Sequence, residues 1–242
     1  LSIRDIVKSL QLVATSIGIN KIAYLIGASM GGQQALEWAI QEPDKVQKLV
    51  ILGTNAKHSP WGIAFNESQR WAIENDPTWK EQKPTAGLNG MKVARSLALL
   101  SYRSYQGYQF TQDDNYEFNK QRKAESYQRY QGEKLAKRFN AFSYYVLSKA
   151  MDSHDVSRDR ISLKNALQQV KADTLVLNIQ ADLLFPLEDQ QLLVKHIKNA
   201  KLEIINSKYG HDGFLIETDQ IKEVIYNWQS KLDNININEK TA

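Results

Sequence analysis

The sequence contains no cysteine, only five prolines and no apolar run of about 18 residues or more. The absence of cysteine excludes disulfide bonds and thiolate metal sites and suits a reducing cytoplasm. Without a long apolar run, no transmembrane helix is predicted. Residues 1–20 have the pattern of an amphipathic helix, with no basic segment leading into an apolar block, so no signal peptide is predicted. We therefore expect a cytoplasmic protein without a membrane partner.

Long blocks of one charge are also missing. The 31 Lys and Arg and 27 Asp and Glu residues give a net charge of +4, and the lysines are scattered among acidic residues. A nucleic-acid partner is therefore not expected. The four histidines lack the spacing of metal ligands, so neither a metal site nor a bound cofactor is predicted.

The first part of the chain contains alternating helices and apolar strands. A helix is predicted over Ile3–Ser16, then an apolar strand over 21–28, a helix over Met30–Gln41 and a strand over 46–54. Continuous apolar strands are typical of parallel sheets buried on both faces, and a β-α-β succession implies a right-handed crossover. The pattern predicts an α/β fold with a mostly parallel sheet and helices on both faces.

The pattern changes after the second strand. Residues 59–160 show helical segments rich in Tyr, Gln, Arg and Phe, and no comparable strand. Sheet signals resume at 173–181, followed by a helix over 187–198, a strand over 201–207 and a final helix. The predicted organisation is a first core segment (1–58), a helical lid insertion (59–160), a second core segment (161–235) and a polar tail (236–242).

The stretch "YLIGASMGGQQALEW" joins an apolar strand to an amphipathic helix through a Gly-x-Ser-x-Gly turn. Gly27 and Gly31 occupy the two glycine positions, and Gly32 is expected to let the helix pack closely. Such a turn exposes the serine at the C-terminal edge of a sheet and aims the first N–H groups of the helix at the reacting carbonyl. Ser29 is therefore predicted to be a nucleophile, with the Met30 N–H in the oxyanion hole.

A serine nucleophile needs a base and an orienting acid, and with this turn the expected chain order is Ser, acid, His. Asp182 directly follows the strand "TLVLNIQA", and His211 follows the last strand, in "SKYGHDGF". Both lie at the C-terminal ends of predicted strands, the sheet edge at which Ser29 emerges. The predicted catalytic triad has His211 taking the Ser29 proton while Asp182 holds the imidazole.

The other histidines and acids fit these roles less well. His58 precedes every acid-bearing strand, and His196 falls within a helix, where it is expected to face solvent. His154 sits between acids in "MDSHDV" and is expected to be structural or to line the pocket. Asp173 lies at the opposite end of its strand, and Asp189 is helical.

Five separated blocks carry a more specific signal: "GASMGGQQALEWA", "SPWGIAFNESQRWAIENDPTW", "GLNGMKVARSLALLSYRSY", "RFNAFSYYVLSKAMDSHDV" and "GHDGFLIE". Together they resemble the homoserine O-acetyltransferases, α/β-hydrolase-fold enzymes of methionine biosynthesis, over residues 3 to about 217. The resemblance implies a double displacement. The serine takes an acetyl group from acetyl-CoA, and the acyl-enzyme passes it to the side-chain hydroxyl of L-homoserine.

The resemblance implies the same triad and adds residues for the amino-acid substrate. It assigns the homoserine carboxylate to Arg95, with Tyr102 seven residues further along the same helix, and the amino group to Asp212. A guanidinium fork suits a carboxylate, and a carboxylate suits an ammonium group. A surface position for Arg95 and a helix-capping role for Asp212 stay open as alternatives.

Two departures from the family pattern leave further alternatives open. Asn140, in "RFNAFSY", stands where an acid is expected. The strands that precede the first helix in the family, roughly 100 residues, are absent from this chain, and with them the second oxyanion N–H. The alternatives are therefore succinyl transfer on the same scaffold, a serine ester hydrolase, or a catalytically incompetent fragment. The aromatic-rich lid also suggests a homodimer formed through it.

Overall fold

Four strands form one parallel sheet in the computed structural model, which describes residues 1–115, 117–118 and 120–241 and, of these, the side chains up to residue 232. In spatial order, which is also chain order, they are β1 (Ile22–Ala28), β2 (Val46–Leu52), β3 (Asp173–Ile179) and β4 (Ala200–Ile205). All three neighbouring pairs are parallel. The predicted strands and their parallel pairing are confirmed.

The helices follow the predicted pattern closely in the first part of the chain. They are α1 (Ile3–Ser16), α2 (Met30–Gln41), α3 (Pro60–Glu74), α4 (Leu88–Tyr102), α5 (Tyr105–Gln112), α6 (Lys123–Ala136), α7 (Ala141–Asp152), α8 (Leu163–Gln168), α9 (Leu187–His196), α10 (Gly213–Ile216) and α11 (Thr218–Thr241). No described helix combines the length and the apolarity needed to cross a bilayer. The polar tail predicted over 236–242 falls where side chains lie outside the described residues.

The two faces of the sheet bury separate apolar clusters. Leu49 and Ile51 of β2 pack with α1, α2 and α9 on one face. Val50 of β2 packs on the other face with Leu177 of β3 and Trp228 of α11. Successive strand residues point to opposite faces, so a strand buried on both must be apolar throughout. This explains the continuous apolar runs and confirms helices on both faces.

Residues predicted as a helical insertion form α3 to α7 and, where they are described, no strand. Ser59 caps α3 by accepting a hydrogen bond from Gly62 N at 3.1 Å, and Pro60 takes the first helical position, where its missing N–H costs nothing. The insertion has its own core, built around Ile73, Met91 and neighbouring apolar side chains. It therefore packs as a unit against the sheet-bearing part.

A buried ion cluster ties the end of the insertion to the sheet-bearing part. Glu37 on α2 is 1% exposed and accepts hydrogen bonds from both terminal nitrogens of Arg160, at 3.0 and 2.6 Å. The Arg4 Nε on α1 lies 3.1 Å from the same carboxylate. Burial alone would raise the pKa of Glu37, but the hydrogen bonds from Arg160 and Gln41 and the two positive charges hold it below its usual value.

The substitution Glu37→Gln is expected to lower the free energy of unfolding by about 3 kcal/mol, because it removes the buried counter-charge of Arg160 and leaves Arg4 paired only with the exposed Asp159. The folded pKa lies below the unfolded value of about 4.3, so the stabilisation is complete above that pH. It is lost as the pH falls through the lower folded pKa. Urea unfolding at neutral and acidic pH measures both effects. Glu203→Gln, in an exposed pair with Lys201, should cost under about 1 kcal/mol; equal losses in the two variants would contradict the account.

Candidate active site

Ser29 occupies a strained turn between β1 and α2. Its φ of +54° and ψ of −125° lie in a region that residues with a side chain rarely adopt. Its backbone is fixed on both sides, since Ser29 N donates to Leu52 O at 2.9 Å and Ser29 O accepts from Thr54 Oγ1 at 2.9 Å. The strained turn holds the hydroxyl at the C-terminal edge of the sheet.

Two of the three glycines around Ser29 are required by close backbone approach. A Cβ on Gly27 would lie 2.2 Å from Gly31 O, and a Cβ on Gly32 would lie 2.6 Å from Thr54 Cβ. A Cβ on Gly31 would meet nothing within 4 Å. The close packing expected at Gly32 is therefore present, whereas the second glycine of the Gly-x-Ser-x-Gly pattern is sterically unconstrained.

The structure brings Ser29, His211 and Asp182 into one chain of hydrogen bonds. His211 Nε2 lies 2.9 Å from Ser29 Oγ, and His211 Nδ1 lies 2.7 Å from Asp182 Oδ2. The second carboxylate oxygen, Asp182 Oδ1, accepts from Leu184 N at 2.8 Å and Phe185 N at 2.9 Å. The Asp182 side chain is fully buried. A serine hydroxyl, an imidazole and a buried carboxylate in this order can transfer a proton from oxygen to nitrogen.

Aromatic rings surround the imidazole of His211, which is 3% exposed. The ring centroids of Phe185, Phe214 and Tyr102 lie 5.1, 5.2 and 5.8 Å from it. These contacts restrict rotation of the imidazole and shield it from water. The Nε2 atom of His211 is the ring atom that contacts Ser29 Oγ.

Met30 is the first residue of α2, directly after Ser29. The first N–H groups of a helix have no partner within it and lie at the positive end of its dipole. The predicted oxyanion donor is thus placed where a negative oxygen would be stabilised. That it serves as one stays a prediction.

A cavity of about 290 Å³ opens beside Ser29 and Met30. Arg95 and Tyr102, both on α4, line it, and the Arg95 guanidinium carbon lies 5.5 Å from the Tyr102 ring centroid. Apolar side chains form part of its wall: Leu135, Phe139, Leu147 and Met151. Arg95 therefore lines the cavity beside the serine and is only partly exposed, against the surface alternative.

Asp212 follows His211 but does not line this cavity. It occupies the N-cap position of α10 without making a side-chain capping hydrogen bond, against the capping alternative. Its Oδ2 instead lies 3.0 Å from Arg103 Nε. Burial raises the pKa of Asp212, opposed by the positive charges of Arg103, His211 and Arg95.

Sequence reasoning missed several polar residues of the cavity wall. Gln69 on α3 is 3% exposed and accepts a hydrogen bond from Tyr144 Oη at 2.5 Å. Burial raises the pKa of Tyr144 further above its already high ordinary value, so the phenol stays protonated and donates. No motif marks this pair; only the helical spacing of Tyr144 and Ser148, both in the wall, hinted at a shared face.

The remaining histidines do not reach the serine. His154 is 4% exposed and its Nε2 lies 3.0 Å from Asn55 O. Burial lowers the pKa of His154 to about 4, so it is neutral at pH 7 and structural, in line with expectation. His58 is also buried, with its Nε2 atom 3.3 Å from Asn66 Nδ2, and burial lowers the pKa of His58. His196 is half-buried at the end of α9, so the expectation that it faces solvent is only partly met.

The other weighed residues have structural partners. Asp189 accepts from Asn55 Nδ2 at 3.2 Å, and Asp173 begins β3 at the end away from Asp182. Asn140 caps α7, its Oδ1 accepting from Ser143 N at 2.8 Å. An acid there would cap equally well, which accounts for the departure. Among the described residues no group of three His, Asp or Glu side chains is placed to hold a metal ion.

Comparisons with known proteins give a consistent picture. A family model of the alpha/beta hydrolase fold matches residues 2–218. The homoserine O-acetyltransferase of Cyclobacterium marinum is 44% identical over 92% of this chain and 63% of its own length. That of Chlorobium chlorochromatii is 37% identical over 96% of this chain and 67% of its own length. A crystal structure of homoserine O-acetyltransferase from Bacillus anthracis matches the fold with a TM-score of 0.85, at 21% identity, over 94% of this chain and 65% of that chain. The chain thus spans 63% and 67% of the length of the two curated relatives.

Proposed function

This chain belongs to the homoserine O-acetyltransferase family of the α/β-hydrolase fold, and from this premise we propose that its natural full-length protein transfers an acetyl group from acetyl-CoA to the side-chain hydroxyl of L-homoserine. One observation carries the proposal. Arg95 and Tyr102, groups suited to an amino-acid carboxylate, line the same cavity as Ser29. An ester hydrolase, whose acceptor is water, has no need of a guanidinium at that place.

In the first half of the reaction, Ser29 Oγ attacks the thioester carbonyl carbon while His211 Nε2 takes the hydroxyl proton. Negative charge develops on the carbonyl oxygen, where the Met30 N–H stabilises it. The intermediate collapses, the carbon–sulfur bond breaks, and the sulfur leaves as CoA with the proton from His211. The product is an acetyl ester on Ser29. Asp182 holds the imidazole in the tautomer that accepts at Nε2 and stabilises its charged form.

In the second half, the homoserine side-chain hydroxyl replaces the CoA thiol. His211 takes its proton, its oxygen attacks the acetyl carbon, and the bond to Ser29 Oγ breaks as the proton returns to the serine. Arg95 binds the α-carboxylate as a planar fork and Tyr102 packs beside it, while Asp212 receives the ammonium group. The helices above the cavity keep water from the acyl-enzyme, since hydrolysis would waste the donor.

The direct test is release of CoA thiol by the natural full-length protein from acetyl-CoA, with and without homoserine. We expect release to depend on homoserine and to yield one O-acetylhomoserine per thiol. CoA release at the same rate with and without homoserine would identify a hydrolase. A preference for succinyl-CoA over acetyl-CoA would identify succinyl transfer. No release with any donor would overturn the proposal.

We expect Arg95→Ala to lower kcat/KM for homoserine about 100-fold, because a charged hydrogen-bonding partner of the substrate is lost. Arg95→Lys should recover only part, since an ammonium group lacks the two-pronged geometry. The matched control is 3-aminopropan-1-ol, which is homoserine without its carboxylate. With this acceptor, wild type and Arg95→Ala should differ by less than about threefold; a full 100-fold difference there would mean that Arg95 does not bind the carboxylate.

We also place the reaction in methionine biosynthesis, in the cytoplasm, and propose a homodimer formed through the lid. The support for the dimer is a set of exposed apolar side chains on the lid helices: Trp71, Val93, Leu100, Phe142 and Val146. Light scattering of the full-length protein tests the dimer, and a monomeric mass at micromolar concentration would reject it.

The place in methionine biosynthesis has a separate test: loss of the gene should produce a requirement for methionine.

A further inference from the structure

The end of α4 packs directly on the turn that carries His211. A Cβ on Gly210, whose φ is +70°, would lie 2.8 Å from both Arg103 C and Ser104 N. The side chain of Ser104 adds a hydrogen bond from its Oγ to Lys208 O. Backbone meets backbone here, so the lid helix that bears Arg95 and the turn that bears the base are held as one piece.

Arg103 makes the charged contact across this junction. Its Nε lies 3.0 Å from Asp212 Oδ2, with the two side chains 23% and 15% exposed. Its NH2 group donates to Tyr127 Oη, on α6, at 3.2 Å. The Arg103 side chain is thus held by Tyr127 of the lid and pairs with the carboxylate of Asp212, the residue next to His211.

Asp212 depends on this one partner. It makes no capping hydrogen bond to α10, and Arg103 is its sole ion-pair partner among the described residues. The ion pair occupies one carboxylate oxygen, Oδ2, and leaves Oδ1 for a further cation. Without Arg103, no ion pair among the described residues would hold the Asp212 side chain in place.

We propose that Arg103 is a positioning residue, which orients the Asp212 carboxylate to receive the ammonium group of the amino-acid acceptor. The inference rests on the proposed function, since it needs an acceptor that carries an ammonium group. Acetyl-CoA makes no use of that carboxylate in the proposed reaction. Arg103 is therefore needed for the second half-reaction and not for the first.

Double-displacement kinetics separate the two halves. kcat/KM for acetyl-CoA reports formation of the acyl-enzyme, and kcat/KM for homoserine reports its transfer to the acceptor. For Arg103→Ala we expect kcat/KM for homoserine to fall about 10- to 100-fold, because the carboxylate that receives the ammonium group loses the positive charge that orients it. kcat/KM for acetyl-CoA should change less than about twofold. Arg103→Lys, which keeps the charge, should fall between the wild type and Arg103→Ala.

The pH profile gives a readout that a merely structural role would not move. Burial raises the pKa of Asp212, and the negative charge of Asp182 raises it further. Arg103 is the charge that lowers this pKa most, followed by His211 and Arg95. Tyr102 and Tyr108 also lie within electrostatic reach. Asp212 must be ionised to bind ammonium, so loss of Arg103 should move the acidic limb of kcat/KM for homoserine to higher pH. Arg103→Lys should restore most of that shift.

Two controls make the test specific. Arg129→Ala removes the same charge from an exposed position on α6 and should leave both kinetic constants unchanged. With 4-hydroxybutyrate, which is homoserine without its amino group, wild type and Arg103→Ala should react equally.

Equal losses in both half-reactions with an unchanged acidic limb of the pH profile, or no loss in either half-reaction, would overturn the inference. If Arg103→Ala does not fold, Arg103→Lys and Arg103→Gln decide by the same criteria. A wild type without homoserine-dependent thiol release would instead reject the proposed function.

Discussion

The substitution Ser29→Ala is expected to lower kcat for acetyl transfer by about 10⁴- to 10⁶-fold, the scale on which a serine nucleophile contributes to acyl transfer. Ser29 Oγ lies 2.9 Å from His211 Nε2 and is the only hydroxyl among the described residues in hydrogen-bonding contact with that nitrogen. Without it only direct attack of homoserine on the thioester is left. Steady-state thiol release with both substrates measures the loss.

The same variant separates chemistry from folding. Ser29 makes no side-chain capping hydrogen bond to α2, and alanine tolerates its φ of +54° no worse than serine does. We therefore expect an unchanged melting temperature and unchanged acetyl-CoA binding. Ser9→Ala, at an exposed position on α1, should retain full activity. A Ser29→Ala protein within about tenfold of the wild type would show that Ser29 is not the nucleophile.

The second large effect is expected from Asp182→Asn, about 10⁴-fold in kcat. Asp182 uses its two oxygens differently: Oδ2 faces His211 Nδ1 at 2.7 Å, while Oδ1 accepts two backbone N–H groups. Asparagine can keep Oδ1 in place and must then present its NH2 to the imidazole. The Nδ1 atom would have to accept, which moves the ring proton to Nε2 and removes the acceptor for the serine proton.

Because the backbone contacts of Asp182 survive the change, the loss should fall on kcat with KM for both substrates nearly constant. Asp173→Asn, at the opposite end of the same strand β3, is the matched control and should have full activity. A loss of less than about tenfold for Asp182→Asn would mean that this carboxylate does not govern the tautomer. A comparable loss for Asp173→Asn would point to damage of the sheet instead.

The approach of Ser29, Asp182 and His211 was predictable because topology dictates it. Each follows a different apolar strand, and strands that all run parallel bring their C-terminal ends to one edge. The apolar runs were long enough to locate the strands within two residues. The position of Arg95 in the cavity wall was predictable only through the family resemblance, since helical periodicity alone left a surface position open.

The contacts that bind the parts together were not predictable. Glu37 and Arg160 are 123 residues apart, and Gln69 and Tyr144 are 75 apart, with no local pattern marking either pair. Arg103 reads in the sequence as one more arginine at the end of a helix. Such pairs depend on how the helices of the insertion pack on one another and on the sheet, which short-range propensity and periodicity do not encode.

Mass spectrometry of the Ser29 peptide tests the central claim most directly. The full-length protein is incubated with acetyl-CoA alone, quenched in acid and digested, with and without a short chase of homoserine. We expect one acetyl group on Ser29 before the chase, and its loss during the chase in step with the appearance of O-acetylhomoserine. Product formation while the Ser29 peptide never carries an acetyl group, or an acetyl group that homoserine cannot remove, would contradict the account.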